Sequence, residues 1–526
     1  MTGTAVAVSL LVSSCGLQKE ESNGSGSGGG EKVFTYAVAS VPEHLDTFPW
    51  GGQPSKLVYG VIDSTLVRYQ GQCDVLGQSE DLVGHLATSW ERAADGKSIV
   101  FKLGDAKSAA GNEITAEDVK WSVERQLERE PFIKSALGFI GQFNVDDLVN
   151  VVDEKTVQIN ALKASSFDVM QFASTLLTIQ DSKEVKKHAT AKDPWGADWL
   201  AKHTANFGPW QVKRFEPGSE VVFDKNPNYA GKRGNIEEVV VRAVPESATR
   251  MQLLRSGDVT WADSLTFAEY DQLRKANGVG VEDCVSADRD DILLQQKGKI
   301  FSDVRVRRAV SMAIDRDRIV SSTYRGFGKA AKHGVPQYYE FPEPDAHYSY
   351  DPEGAKKLLA EAGHPDGFSF TALYSESRPG PHVDDVAVLI QADLKKVGID
   401  MKLQRVTGAA EFFQLVREHR FEAVFYSDST FVGDAAYGAA AFTLSTSNIN
   451  TFGYDNPAYD KAVFAARAAE GAERDNLIRD IAALGATDMP IVYLVDSSNV
   501  QAHAAGVSGF TNSPMRTVNP SQLTMD

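Results

Sequence analysis

Residues 368–404 read FSFTALYSESRPGPHVDDVAVLIQADLKKVGIDMKLQ, and their patterning decides the fold. Phe368 to Leu373 is a short apolar run of strand-forming residues. Val386, Leu389, Ile390, Leu394 and Val397 recur at three- and four-residue spacing, which is one stripe of a helix, and Gly398 stops it. Ile399, Met401 and Leu403 then alternate with Asp400, Lys402 and Gln404, the period of a half-buried strand. Strand, helix and strand in this order predict an α/β sheet domain. Just upstream, Asp351-Pro352-Glu353 supplies an N-cap, a proline at the first helical position and an acid in the first turn. Ala355, Leu358, Leu359 and Ala362 follow on one face, and Gly363 closes that helix.

The same signals recur toward the N-terminus. Lys32 to Ala39 reads as a strand, with Val33, Thr35 and Ala37 opposite Phe34, Tyr36 and Val38. Ile99 to Leu103 is another, after the turn Asp95-Gly96-Lys97. Thr115-Ala116-Glu117-Asp118 has the form of a capping box with Asp in the third place, so a helix is expected to open at Thr115.

A chain of 526 residues is too long for one hydrophobic core, so two or three domains are expected. Lys plus Arg is 54 and Asp plus Glu is 71, a net charge of −17. That balance argues against nucleic acid as a partner and against peripheral binding to anionic lipid. The longest apolar run falls well short of the ~20 residues that span a bilayer. Three cysteines are too few for a disulfide scaffold. Cys73 and Cys284 lack a Cys-x-x-Cys partner, and either a bond between them or two buried thiols fits the sequence.

The first thirty residues read as an address and a tether. Ala5 to Val12 is a short apolar run leading into Val12-Ser13-Ser14-Cys15-Gly16. This has the form of an export signal, residues 1–15, and the Val-Ser-Ser-Cys order resembles a bacterial lipobox. The resemblance implies lipidation of Cys15 and a membrane held through it. Met1 to Thr4 carries no Lys or Arg, a departure from a basic leader that leaves the true start open. Residues 16–31 are rich in Gly, Ser and charge, and are expected to form a flexible tether.

No catalytic constellation stands out. The ten histidines are scattered, so no His-Glu-x-x-His helix for zinc exists. There is no Gly-x-Ser-x-Gly elbow and no Walker lysine motif, and Gly326-Phe327-Gly328 lacks the third glycine of a dinucleotide loop. His382 follows Arg378-Pro379-Gly380-Pro381 and is expected in a surface loop. The reading is a binding protein with no cofactor and no metal ligands. A secreted hydrolase using paired cleft carboxylates is the rival from another class, and a signalling receptor on the same fold is a third.

Five blocks, in order, resemble the family 5 extracellular solute-binding proteins of ABC importers, the oligopeptide- and dipeptide-binding group. The first is His85 to Glu91, running through Phe101-Lys102-Leu103 into Gly111 to Val119. The second joins Phe207-Gly208-Pro209-Trp210 to Asn226-Pro227-Asn228-Tyr229 and Arg250 to Asp258. The third is Phe301 to Ala309, ending in Ala313-Ile314-Asp315-Arg316. The fourth is Tyr350-Asp351-Pro352 to Gly363, and the fifth Gly398-Ile399-Asp400 with Phe421 to Val424. Most matched residues also have a plain structural reading as caps, turns and core stripes.

The resemblance implies a periplasmic-binding-protein-like α/β fold of three lobes with a discontinuous lobe I and a two-strand hinge. Lobe I would comprise 32–55, 201–288 and 495–526, lobe II 56–200 and lobe III 289–494. The hinge is expected near Arg289–Asp291 and Ile491–Val495. It further implies a monomer outside the cytoplasmic membrane, lipid-anchored or periplasmic, that delivers a peptide or other small solute to importer permease subunits. It implies no chemistry and no ATP hydrolysis.

At the ligand site the match departs from the family. Peptide-binding members carry a Trp, then an Asp that pairs with the peptide ammonium, then an acidic-Pro pair. Aligned from Phe421, these positions hold Asp428, Phe431 and Asp434-Ala435. The usual anchor is missing, so either Asp428 or Asp434 replaces it, or the solute lacks a free N-terminus: a sugar, a modified or cyclic peptide, an opine-like compound or a metal chelate. The candidate solute-contacting residues are Trp50, Asp428, Phe431, Asp434, Tyr437 and Tyr493.

Overall fold

The computed structural model describes residues 32–46, 53–74, 81–130, 133–134, 136–140, 142–163, 165, 168–428 and 430–526. The export signal with Cys15, the tether at 16–31 and Trp50 lie outside the described residues.

The decisive stretch folds as read. Phe368–Tyr374 and Ile399–Arg405 are strands, and the helix Val383–Lys396 joins them. The two strands pair in parallel, Phe368 opposite Ile399 and Tyr374 opposite Arg405, as a helical crossover requires. The upstream helix is Pro352–Glu361, and Asp351 caps it by accepting from the Gly354 amide at 2.8 Å. Gly363 takes a φ of +91°, the left-handed conformation that closes a helix.

These strands belong to a six-stranded sheet. Its order is Gly328–Ala330, Val492–Ser497, Arg289–Leu294, Ala423–Asp428, Phe368–Tyr374, Ile399–Arg405. Arg289–Leu294 runs antiparallel to both neighbours, and Ala423–Asp428 runs parallel to Phe368–Tyr374. A seven-stranded sheet draws on three separated stretches of chain: Val33–Val38, the strands between Trp210 and Cys284, and Asn499–Ala504. A four-stranded antiparallel sheet is built from Ala87–Arg92, Ser98–Leu103, Val149–Asp153 and Thr156–Asn160. The fold is therefore α/β with several sheets and a discontinuous central one. The chain passes from the seven- to the six-stranded sheet between Cys284 and Arg289, and returns between Ser497 and Asn499.

Each large sheet has two apolar faces. Phe34, Tyr36 and Val38 point to one core, while Ala37 points to the other, as the alternation in Val33–Val38 dictates. In the six-stranded sheet, Ile292, Leu294 and Phe425 face the helices Val304–Met312 and Val383–Lys396. Leu293, Val424 and Tyr426 face the opposite way, into a core shared with Phe101, Phe172 and Leu177 of the 82–179 region. Cys73 and Cys284 are disulfide-bonded, which realises one of the two readings open in the sequence. Among the described residues no helix is long and apolar enough to cross a membrane.

Residues of the five blocks hold backbone in place. Asn226 donates its side-chain amide to the carbonyls of Lys107 and Gly208, both at 2.9 Å. Arg307 donates to the carbonyls of Met489, Phe301 and Asp488, and Arg250 to those of Asp263 and Val244. A buried guanidinium surrounded by carbonyls fixes loops whose own amides cannot reach those oxygens.

The capping box at Thr115 is present. Asp118 Oδ2 accepts from the Thr115 amide and hydroxyl, both at 2.8 Å, and opens the helix Ala116–Arg129. Its other oxygen accepts from the Ser182 amide at 2.9 Å. Asp118 is buried, so one carboxylate serves three donors. Asp118→Ala is expected to destabilise the protein by roughly 2–4 kcal/mol, well above the ~1 kcal/mol typical of a cap alone. Urea unfolding checks this; a loss of only ~1 kcal/mol would make the Ser182 link immaterial.

Candidate functional site

The segment Asp288-Arg289-Asp290-Asp291 opens the strand that enters the six-stranded sheet, and all four side chains are buried. Three of them have partners of opposite charge or donors. Asp288 Oδ2 pairs with Arg516 Nη1 at 2.8 Å. Arg289 Nε donates to Asp496 Oδ1 at 2.7 Å, and its guanidinium lies 3.9 Å from the Tyr493 ring centroid. Asp290 Oδ2 accepts from the Tyr324 hydroxyl and lies 2.7 Å from His382 Nε2.

Asp291 is the exception. It is fully buried, and neither of its oxygens meets an N–H or O–H donor among the described residues. Its neighbour is another carboxylate, Asp428, at the end of Ala423–Asp428. The register explains the meeting. Arg289 pairs with Asp428 and Asp291 with Tyr426, so Arg289, Asp291, Tyr426 and Asp428 share one face of the sheet. Tyr493 pairs with Asp291 on the other side, and its hydroxyl donates to Asp428 Oδ2 at 3.0 Å. Asp428 Oδ1 has no donor.

Two carboxylates in one dry site cannot both ionise without a cation. Burial raises Asp291 well above the usual carboxylate range, and the charges of Asp428 and Asp290 raise it further. Burial also raises Asp428, to about 6, although the Tyr493 hydroxyl, Arg289 and Arg378 pull it back. The two carboxylates therefore titrate as a pair, and burial together with their mutual repulsion favours retention of a proton. Arg378 flanks the site: it donates to the Ser427 carbonyl and stacks 4.4 Å from the Tyr426 ring centroid.

The other candidates from the sequence are placed differently. Asp434 is a helix cap that accepts from the amides of Ala436 and Tyr437, and its other oxygen pairs with Arg474 at 2.5 Å. Phe431 and Tyr437 are buried against Leu137 and Leu177 in the shared core. Asp428 and Tyr493 are thus brought together, with Asp291, which the sequence reading missed. His382 corrects an expectation: it is buried beside Asp290 rather than in a surface loop, because the Pro-Gly-Pro turn folds it back over Phe267 and Tyr324. Among the described residues no cluster of three His, Cys, Asp or Glu side chains is placed to hold a metal ion.

A fold whose central sheet is discontinuous, crossed twice by strands that carry a buried charged site, is that of the periplasmic binding proteins. The profile described as "Bacterial extracellular solute-binding proteins, family 5 Middle" matches residues 81–450, and the chain belongs to that family. It is 30% identical over 390 residues to the probable D,D-dipeptide-binding periplasmic protein DdpA of Escherichia coli K12, covering 72% of this chain and 73% of that one. The solved structure of the Helicobacter pylori periplasmic binding protein DppA with the peptide STSA superposes with a TM-score of 0.80 at 23% identity. It covers 94% of this chain and 98% of the other. MoaA of A. tumefaciens R10 with mannopinic acid gives 0.80 at 24% identity, covering 94% and 100%.

The pair sets a pH dependence of stability. Below about pH 4 both carboxylates are protonated in the folded and unfolded chains, and the pair costs nothing. As the pH rises through about 6 for Asp428 and higher for Asp291, the folded protein holds protons that the unfolded chain gives up, so stability falls. Asp291→Asn is therefore expected to be near neutral at pH 4 and to stabilise the ligand-free protein at pH 8 by on the order of 1–3 kcal/mol. Thermal denaturation across that range measures the difference; a pH-independent effect would contradict the coupling.

Proposed function

We propose that this chain is an extracytoplasmic solute-binding protein that holds the cationic end of a peptide or peptide-like solute between Asp291 and Asp428 and delivers the solute to the permease of an ABC importer. One observation carries the reading: Asp291 is fully buried with no donor on either oxygen, beside a second carboxylate that has one oxygen free. An ammonium group supplies the charge and the hydrogen-bond donors that such a pair lacks. The anchor absent from the family position is then rebuilt from Asp428 and a partner on the neighbouring strand, while Asp434 serves as a cap.

The sheet layout supports a closing motion. Residues 32–55, 201–288 and 495–526 act as lobe I, 56–200 as lobe II and 289–494 as lobe III. The chain crossings on either side of Arg289 and Asp496 are the hinge. A cation that binds the buried pair favours the closed arrangement, because only there are the carboxylates dry. Lipidation at Cys15, with 16–31 as a tether, would keep a monomeric body at the outer face of the membrane. Binding without turnover is the expected outcome with peptide substrates, which separates this reading from a hydrolase.

Affinity for a peptide with a free N-terminus is expected to rise between pH 5 and pH 7, because the solute's ammonium displaces a proton from the pair and fewer protons compete once Asp428 has titrated near 6. Asp428→Asn is expected to weaken that binding by about a hundredfold or more. Titration calorimetry with a free and an N-acetylated tripeptide measures both effects. Equal affinity for the two peptides would overturn the ammonium reading and favour an opine-like or sugar solute.

A further inference from the structure

A cavity of about 470 Å³ lies on the same sheet face as the carboxylate pair. Leu293 and Tyr426 form its floor, and Phe413, Phe442, Ile449 and Phe452 form walls. Leu293 is two residues beyond Asp291 on one strand, and Tyr426 two residues before Asp428 on the next. Two residues of strand span ~7 Å, so the apolar floor begins about one side-chain length from the carboxylates. Glu130, which follows the helix Ala116–Arg129, closes one side, so the cavity is bounded by residues from two different sheet regions. The exposed residues Arg417 and Asn448 also line it. Its volume matches that of small-molecule sites, and its lining is dominated by rings and branched aliphatics.

We infer that this cavity takes a bulky apolar group, aromatic or branched aliphatic, of a solute whose ammonium sits on Asp291 and Asp428. The solute class is thus an amine with a large apolar substituent a few ångströms away, as in a dipeptide with Phe or Leu at either position. This rests on the ammonium reading of the carboxylate pair. Removing a phenyl side chain from water gives ~1.5–3 kcal/mol, which converts to a preference of at least about tenfold over an alanine side chain. The charged site alone gives no such preference, since a pair of carboxylates treats all ammonium groups alike.

Titration calorimetry with Ala-Ala, Ala-Phe, Phe-Ala and their N-acetyl derivatives tests it. The expected result is that Ala-Phe or Phe-Ala binds at least about tenfold tighter than Ala-Ala, and that acetylation abolishes binding. Ile449→Trp fills the cavity from one wall, and Asn448→Trp does so from an exposed position that does not threaten folding. Either is expected to erase the aromatic preference while leaving Ala-Ala affinity within about threefold. Equal affinity for Ala-Ala and the Phe peptides overturns the cavity assignment and leaves the anchor intact. Acetylated peptides that bind as well as free ones, or no binding at all, overturn the anchor and the cavity assignment that depends on it.

Discussion

The burial of Asp291 beside Asp428, one pair along the same sheet face, is the constraint around which the rest is arranged. A carboxylate taken out of water needs a countercharge, a set of donors or a proton. Along Asp288 to Asp291 the protein provides Arg516, Asp496 and the Tyr324–His382 pair for the first three residues, and for the fourth a second carboxylate, Asp428. The strand that carries Asp291 is also the one by which the chain enters the six-stranded sheet, and the strand by which it leaves, Val492–Ser497, brings the Tyr493 hydroxyl to Asp428.

Around this point the scaffold is rigid. Arg289 is clamped by Asp496, which also accepts from Gln337, while its buried Nη1 has no hydrogen-bond partner among the described residues. Arg378 is held by the Ser427 carbonyl and the Tyr426 ring. Both guanidinium groups pull Asp428 back toward the usual carboxylate range, though burial still holds it at about 6. The buried arginines of the family-like blocks, Arg250 and Arg307, perform the complementary task of tying down carbonyls far from the site. The chain shares its fold with proteins whose structures hold a peptide in one case and mannopinic acid in another, at under 25% identity.

Much of the fold was legible because its signals are local. Asp351 with Pro352, Thr115 with Asp118, and the alternation from Ile399 to Leu403 each act within a few residues, and each forms as read. The site was only half legible. Asp428 and Tyr493 could be named through the resemblance. Asp291 could not, because its meeting with Asp428 depends on the register of strands more than a hundred residues apart, and one acid among 71 carries no mark. The available signal was the charged run from Asp288 to Asp291 directly before the apolar run Ile292-Leu293-Leu294, where polar residues enter a buried strand. His382 was misread for the opposite reason: its Pro-Gly setting suggests a surface loop, yet aromatic side chains from distant segments cover it.

In the proposed binding step, a solute's cation replaces a proton held by the pair. Calorimetric titration of Ala-Phe at pH 7 in buffers of different ionisation enthalpy reads this directly. The prediction is a heat that varies with the buffer and corresponds to release of about one proton per solute bound, lost in Asp291→Asn. Binding with no proton released would contradict it, and would mean that the two carboxylates are neutralised within the protein itself.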